Sequence, residues 1–264
     1  MLFFLTAFVL SYIWLMLGVT IGYHSLLAHR SFKCPKLVEY FWVLTGYLAF
    51  ESSPIFWVTT HRAHHRYTDQ ELDPHSPRTS GLQHAYYGWI KQSSYPAHML
   101  PSNLTKDMID DPIYRFLEQD GDWLRGHVLS GIIGFGSRFL LGFIVGWPIA
   151  MANLLAALTV QQLPLLLNVV CHIPRLGYKA YPTDDDSVNV PWVAFLTMGE
   201  GWHNNHHAFP GSARHGMKPW EIDPTWLLLR AMKFTRLVGW MHEESAASEF
   251  KLPVKETEAA VTAL

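Results

Sequence analysis

The feature that most constrains this chain is a set of uncharged runs long enough to cross a bilayer. Met1 to Ile21 (MLFFLTAFVLSYIWLMLGVTI) carries no charged side chain. A helix rises about 1.5 Å per residue, so ~20 apolar residues cover the hydrocarbon core. A cleaved leader would show a basic start and a small-residue cleavage site. Neither is visible, so the run reads as a span. Val128 to Trp147 and Ala150 to Val170 are two further runs, separated by the turn signature Gly146-Trp147-Pro148, and they read as a transmembrane hairpin. Arg138 lies inside the first of them, where a cation is expensive; it must face protein, or the run begins later.

Leu37 to Val58 is apolar enough to span but carries Glu39, Glu51 and Pro54. If it crossed, His24 and His61 would lie on opposite sides of the membrane. If they share a site, it cannot cross completely, and it is expected to be an interfacial or re-entrant helix. The expected organisation is one domain over residues 1–242, with spans at about 1–22, 128–148 and 150–171, an interfacial or re-entrant helix at about 37–58, and a small, charged, disordered tail over 243–264. The fold class is all-α: an integral membrane helical bundle.

Charged residues make up 16% of the chain, against about 25% in soluble domains, which fits a membrane protein. The formal net charge of −2 argues against a nucleic-acid partner. Cys34 and Cys171 are too few for a disulfide framework. Arg30, Lys33, Lys36, Arg62 and Arg66 cluster near span ends on the histidine-bearing side, which the positive-inside rule makes cytoplasmic.

Fifteen histidines are the outlying count, and nine fall in four motifs. His24 and His29 form HxxxxH. His61, His64 and His65 form HxxHH. Asn168 and His172 form NxxxH. His203, His206 and His207 form HxxHH again. On a helix, positions i and i+4 share a face, so His61 and His65 suit one metal. His64 is turned by about 100° from His65 and suits a second metal beside it. Nine imidazoles exceed the four ligands of a structural zinc. HExxH is absent, and with it the zinc-protease general base; so is the pair of ExxH motifs of soluble di-iron bundles. Imidazole coordination alone admits zinc, copper, iron or nickel. A histidine-rich dinuclear site at a membrane surface favours iron and oxygen chemistry. Isolated histidines at an interface are usually polar tips, so His75, His84, His98, His127, His215 and His242 are set apart from the ligand set.

These residues resemble the membrane fatty acyl desaturase family, in its delta-9, stearoyl-CoA-desaturase-like branch, and bacterial members most closely. The resemblance rests on YHSLLAHRSF, THRAHHRYTDQELDPHSP, NVVCH and GEGWHNNHHAFPGSARHG, in that order, and runs from about Gly18 to Trp240. It implies a four-span fold with a cytosolic helical cap holding two iron ions. One iron would take His24, His29, His61, His65 and His206. The other would take His64, His172, His203 and His207, with Asn168 holding a water. The implied activity is O2-dependent insertion of a cis double bond, delta-9, into a saturated acyl chain. The substrate would be acyl-CoA, acyl-ACP or an acyl lipid, in a bacterial inner membrane with the site facing the cytoplasm. The 264-residue sequence carries no cytochrome b5-like stretch, so a separate ferredoxin, cytochrome b5 or reductase is the expected electron donor.

Three departures stand out. The family usually has another span before the first box. Ser25 follows His24 where arginine is common, and Val169 follows Asn168 where serine is usual.

Asp69, Asp73 and Glu200 lie close to the boxes and are candidates to orient metal-bound imidazoles. Arg62 and Arg66 are candidates for contact with an acidic carrier or electron donor. Trp42, Tyr47, Phe50, Trp57, Trp192 and Phe195 are candidate walls of an acyl tunnel. A hydroxylase or acetylenase of the same superfamily would share the ligands. A metal transporter or sensor would need polar groups along its spans, and the first run offers only Ser11 and threonines.

Overall fold

The computed structural model describes residues 1–92 and 94–245. Among these residues the chain is helical, with only isolated bridges such as Phe32 to Met241 and Tyr178 to Asn189. Three helices are long and apolar enough to cross a membrane: α1 (Leu2–Ala28), α5 (Trp123–Val145) and α6 (Trp147–Val170). Between α1 and α5 lie α2 (Lys36–Tyr47), α3 (Pro54–Tyr67) and α4 (Pro112–Glu118), with short helical turns. After α6 come α7 (Pro191–Leu196), α8 (His203–Ala208) and α9 (Pro224–Phe234).

α1 packs along α6 through Leu15, Met16 and Val19 against Ala156, Ala157 and Val160, small residues that let the helices approach closely. The last part of α1, Gly18–Ala28, winds as a π-helix. Its glycines admit α2: a Cβ on Gly22 would stand 2.6 Å from the Trp42 backbone, and one on Gly18 2.5 Å from Gly46 N. Large side chains such as Leu10, Phe139, Phe143 and Ile144 are exposed, as lipid-facing positions would be.

The 37–58 segment is two helices. α2 has 12 residues, about 18 Å of helix, short of a ~30 Å core. The chain then breaks, with Phe50 at φ 64° and Ser52 at φ 63°. Pro54 restarts it at the first position of α3, and Ser53 Oγ caps Phe56 N at 3.0 Å. Glu118 Oε2, from the end of α4, also accepts from Phe56 N at 3.1 Å and from Ser53 Oγ, while Tyr95 donates to Glu118 Oε1. The helix carrying the second histidine box is therefore fixed at its start by two side chains.

α5 begins five residues earlier than the apolar run suggested, because Asp122 caps it by accepting from Arg125 N at 3.0 Å. Gly146 turns the chain into α6 at φ 97°, a conformation open to glycine. Arg138 faces protein, 5% exposed, and bonds Asn153 Oδ1 at 2.9 Å. Pro164, inside α6, cannot donate to Val160 O. α9 packs on the end of α1, where Thr225 Oγ1 donates to Thr20 Oγ1 at 3.0 Å.

Most of the expected tail, 246–264, lies outside the described residues. Its first residues are tied down: Glu243 Oε2 accepts from Trp226 Nε1 at 2.7 Å, and Glu244 N donates to Ser212 Oγ at 3.1 Å.

Candidate metal centre

The histidines converge in two groups, the ligand atoms of each within 4.8 Å of one another. The first group is His24 and His29 from α1, His61 and His65 from α3, and His206 from α8. The π-helical end of α1 makes the HxxxxH spacing work. Its i→i+5 bond, His29 N to His24 O at 3.1 Å, helps bring together two rings that an α-helix would set apart. Their centroids are 4.7 Å apart. The Nε2 atoms meet: His29 to His61 at 2.7 Å, His61 to His65 at 3.1 Å, His65 to His206 at 2.9 Å, and His206 to His24 at 3.2 Å.

The second group is His64, His172, His203 and His207. His172 Nε2 stands 3.0 Å from His203 Nε2. The Nε2 atoms of His64 and His207 are buried without a protein partner. Behind the rings stand carboxylates: Asp73 at 3.0 Å from His64 Nδ1, Asp69 at 2.9 Å from His172 Nδ1, and Asp185 at 3.0 Å from His207 Nδ1. In the first group, Glu200 Oε2 lies 2.7 Å from His24 Nδ1.

An imidazole that donates through Nδ1 to a carboxylate turns a lone pair inward at Nε2. Several inward lone pairs at these separations repel unless a cation sits among them. Charging the rings is no remedy. Burial first, then the neighbouring imidazoles, hold His29, His61, His65, His203 and His206 well below the ordinary histidine range. His207 is lowered to about 4, mainly by burial, although Asp185 opposes it. Burial also works against a charge on His64, but Asp73 outweighs it and raises that group. Burial alone would raise Asp69, yet the hydrogen bond and charge of His172 hold it to about 2. Asp73 and Asp185 are held lower still, by His64 and His207 against their own burial. Convergent, buried imidazoles, most of them held towards the neutral form and several backed by carboxylates, are a donor set that fits divalent transition metals.

The third box sits on a six-residue helix, and its two asparagines brace it. Asn204 Oδ1 accepts from Ala180 N at 2.7 Å and Tyr181 N at 2.8 Å. Asn205 Nδ2 donates to His215 O and to Glu221, each at 2.8 Å.

Some partners were not anticipated. Asp185, in the acidic run Asp184-Asp185-Asp186, reaches His207. His215 Nδ1 lies 3.5 Å from Glu200, and the His75 ring stacks on His64 with centroids 4.5 Å apart. Arg62 turns inward: it donates to Ala28 O at 3.0 Å, Leu27 O at 2.6 Å, Leu104 O at 2.7 Å and both oxygens of Asp107. Those bonds tie α3 to the end of α1 and leave Arg66 as the exposed cation of the box. His98 stands apart from both groups, against Tyr67.

A cavity opens beside the groups, lined by Phe50, Glu51, Trp57, His61, Pro164 and Asn168 among others. Asn168 sits on α6 one turn before His172. Of the aromatic residues nominated as walls, only Phe50 and Trp57 line this cavity. Trp42 and Tyr47 are buried in the core between α1 and α2, and Trp192 and Phe195 are exposed, because α7 turns those side chains outward. Trp57 stacks on His61 at 5.0 Å and donates through Nε1 to Glu51 at 3.1 Å. Burial pushes the Glu51 carboxyl up to about 8, so it is largely neutral at pH 7.

The sequence pattern of the fatty acid desaturases matches residues 1–243. The chain belongs to the fatty acid desaturase family. It is 40% identical over 222 residues to the sn-1 stearoyl-lipid 9-desaturase of Anabaena variabilis, covering 84% of this chain and 77% of the relative. It is 40% identical over 242 residues to the acyl-CoA C20 Delta5-desaturase of Anemone leveillei, covering 90% and 73%. The sn-1 stearoyl-lipid 9-desaturase of a Synechocystis strain is 38% identical over 238 residues, covering 90% and 68%. This desaturase is therefore an oxidoreductase, with helices suited to a membrane and a histidine site suited to metal.

Proposed function

We propose that the chain inserts a cis double bond, at the delta-9 position, into a saturated acyl chain, using two irons and O2. One iron would be held by His24, His29, His61, His65 and His206. The other would be held by His64, His172, His203 and His207, with Asn168 holding a water beside it. The observation that carries this reading is the division of nine imidazoles into two adjacent convergent groups. The irons would supply the oxidant that side-chain acid–base chemistry lacks, and the balance is one acyl chain, O2, two protons and two electrons to one alkene and two waters.

The protein's own contribution is position and dryness. Asp69, Asp73, Asp185 and Glu200 orient the imidazoles. Trp57 stacks on a ligand and walls the cavity, where a largely neutral Glu51 leaves no full charge against an apolar chain. α2 and α3 would form a re-entrant pair, keeping His24 and His61 on one side. The cations Arg30, Lys33, Lys36 and Arg66 would place that side in the cytoplasm of a bacterial inner membrane. The acyl carrier is read as a membrane lipid, in keeping with the cyanobacterial relatives; acyl-CoA and acyl-ACP are the other carriers to test. Arg66 would meet an acidic carrier or a separate electron donor, a ferredoxin, cytochrome b5 or reductase.

Expression in an unsaturated-fatty-acid auxotroph, with mass spectrometry of each lipid class, tests the reading. Growth with delta-9 monounsaturated chains is expected. Chains that are only hydroxylated, or saturated throughout, would sink it.

A further inference from the structure

Arg138 is the one cation inside α5 past its first turn, among otherwise apolar and small residues. Such a residue is costly in a membrane helix and marks a task for the surrounding protein. Each of its three nitrogens donates. Nη2 donates to Leu48 O at 2.6 Å, Nε to Asn153 Oδ1 at 2.9 Å, and Nη1 to Gly134 O at 3.1 Å. No carboxylate pairs with it among the described residues. Leu48 follows the last residue of α2, so the cation sits at the carbonyl end of that helix, where the helix dipole favours it.

Two residues beyond Leu48, the chain takes the left-handed conformation at Phe50, φ 64°, rare for a residue with a side chain. The Phe50 ring lies 5.2 Å from the Arg138 guanidinium carbon and 5.1 Å from the Phe135 ring. It fills a slot that exists because residue 134 is glycine: a Cβ there would stand 2.2 Å from Phe50 Cε1. Phe50 also borders the cavity that Trp57 and His61 line. His61 is seven residues into α3 from Pro54, about 10 Å of helix. Phe50, in the loop before Pro54, is thus at the end of the cavity away from His61.

We infer that Phe50 is the stop at that end of the acyl cavity and sets how much chain fits there, with Arg138 and Gly134 as its positioning residues. The inference rests on the cavity being the acyl site. A bare apolar contact would let the strained loop relax and the stop drift. Arg138 ties the loop's backbone and one face of the ring to α5 at once, and Gly134 gives the ring its seat.

The test expresses wild type, Phe50→Leu, Arg138→Met, Arg138→Lys, Gly134→Ala and the double variant Phe50→Leu/Arg138→Met in a host whose saturated chains span several lengths. Membrane-inserted protein is quantified, and products are sorted by chain length and double-bond position. One methylene in an apolar pocket changes selectivity by about 10-fold or more. Phe50→Leu should therefore shift the ratio of longer to shorter products by on the order of tenfold, or move the double bond. Arg138→Met should shift it the same way by less, Arg138→Lys by less again, and the double variant no further than Phe50→Leu. Gly134→Ala should shift it the opposite way, since its Cβ drives the ring into the cavity.

Uniformly lower yield with an unchanged product profile in Phe50→Leu and Arg138→Met would overturn the inference and leave the desaturase reading intact. An inactive wild type would bring down both. If a positioning variant does not accumulate, Phe50→Leu alone decides, because it only removes volume at a cavity edge.

Discussion

The two histidine groups solve one problem in different ways. The first gathers five imidazoles, and one of them, His24, has a carboxylate close behind it. The second gathers four, three with an aspartate at Nδ1 within about 3 Å. A carboxylate behind an imidazole fixes its tautomer and makes it a stronger donor. The first group relies on ligand number and helix packing, through the π-turn of α1 and the α3 face. The second relies on anchoring, with ligands drawn from α3, the end of α6 and the short α8. Its aspartates also stitch distant loops together: Asp69 accepts from Asp186 N at 2.8 Å while bonding His172.

The largest effects should come from removing ligands, and they should differ between groups. His207→Ala takes one of four imidazoles from the anchored site and should abolish desaturation, at least about 100-fold, with loss of one metal per chain. His29→Ala takes one of five and should leave more of its metal in place, with a smaller loss of activity. Metal analysis of purified protein with single-turnover product counts checks this. Equal metal loss in both variants would break the idea that ligand number protects the first site.

Next in size are the carboxylates. Asp185→Asn and Asp69→Asn keep shape but remove the charge, and each should lower metal affinity or activity by about 10- to 100-fold. Glu200→Gln should cost less, because its group keeps four further imidazoles that do not depend on that carboxylate. Titration with a competing chelator ranks the three. A Glu200→Gln effect larger than that of Asp69→Asn would reverse the comparison.

The groups should also respond differently to acid. In the first, His29, His61, His65 and His206 are all held well below the usual histidine value by burial and mutual repulsion. The unfolded chain therefore binds more protons from about pH 6.5 downward, and stability falls as pH falls through that window. In the second, His203 and His207 are lowered in the same sense, but Asp73 raises His64, so that ring contributes stability below pH 6.5, lost as pH rises through its higher folded value. Chelated protein should melt several degrees lower at pH 5.5 than at pH 7.5, and Asp73→Asn should widen the gap. Scanning calorimetry in detergent checks it; an unchanged gap would remove Asp73 as the counterweight.

What was legible in the sequence follows from what spacing can encode. The i,i+4 pairing of His61 with His65 and the rotation of His64 are local facts of an α-helix, and so are the apolar runs. The π-turn at Gly18–Ala28 is not: HxxxxH looks wrong for one face until the helix widens. Asp185 was unreadable because its partner His207 is 22 residues away, and an acidic triplet ordinarily means solvent. Arg62 reads as an exposed cation beside a box, but only tertiary packing shows the free carbonyls of Leu27, Ala28 and Leu104 that claim it. The seat of Phe50 needs Gly134 and Arg138, more than 80 residues on, and no local pattern carries that.

The smallest effects separate ligands from neighbours at the edge of each group. His215 stands by Glu200 and His24, and His75 by Asp73 and His64, close enough that each trio can hold a metal by distance alone. Yet His24 and His64 already turn Nε2 inward, and their Nδ1 atoms face carboxylates, so the outer histidines read as lining behind the ligands. His75→Gln and His215→Gln should each keep two metals per chain and change activity within about threefold, while His98→Ala should change nothing measurable. A fall to one metal in His215→Gln would give the first group a sixth imidazole. A fall in His75→Gln would give the second group a fifth, and the contrast between many loose ligands and few anchored ones would have to be redrawn.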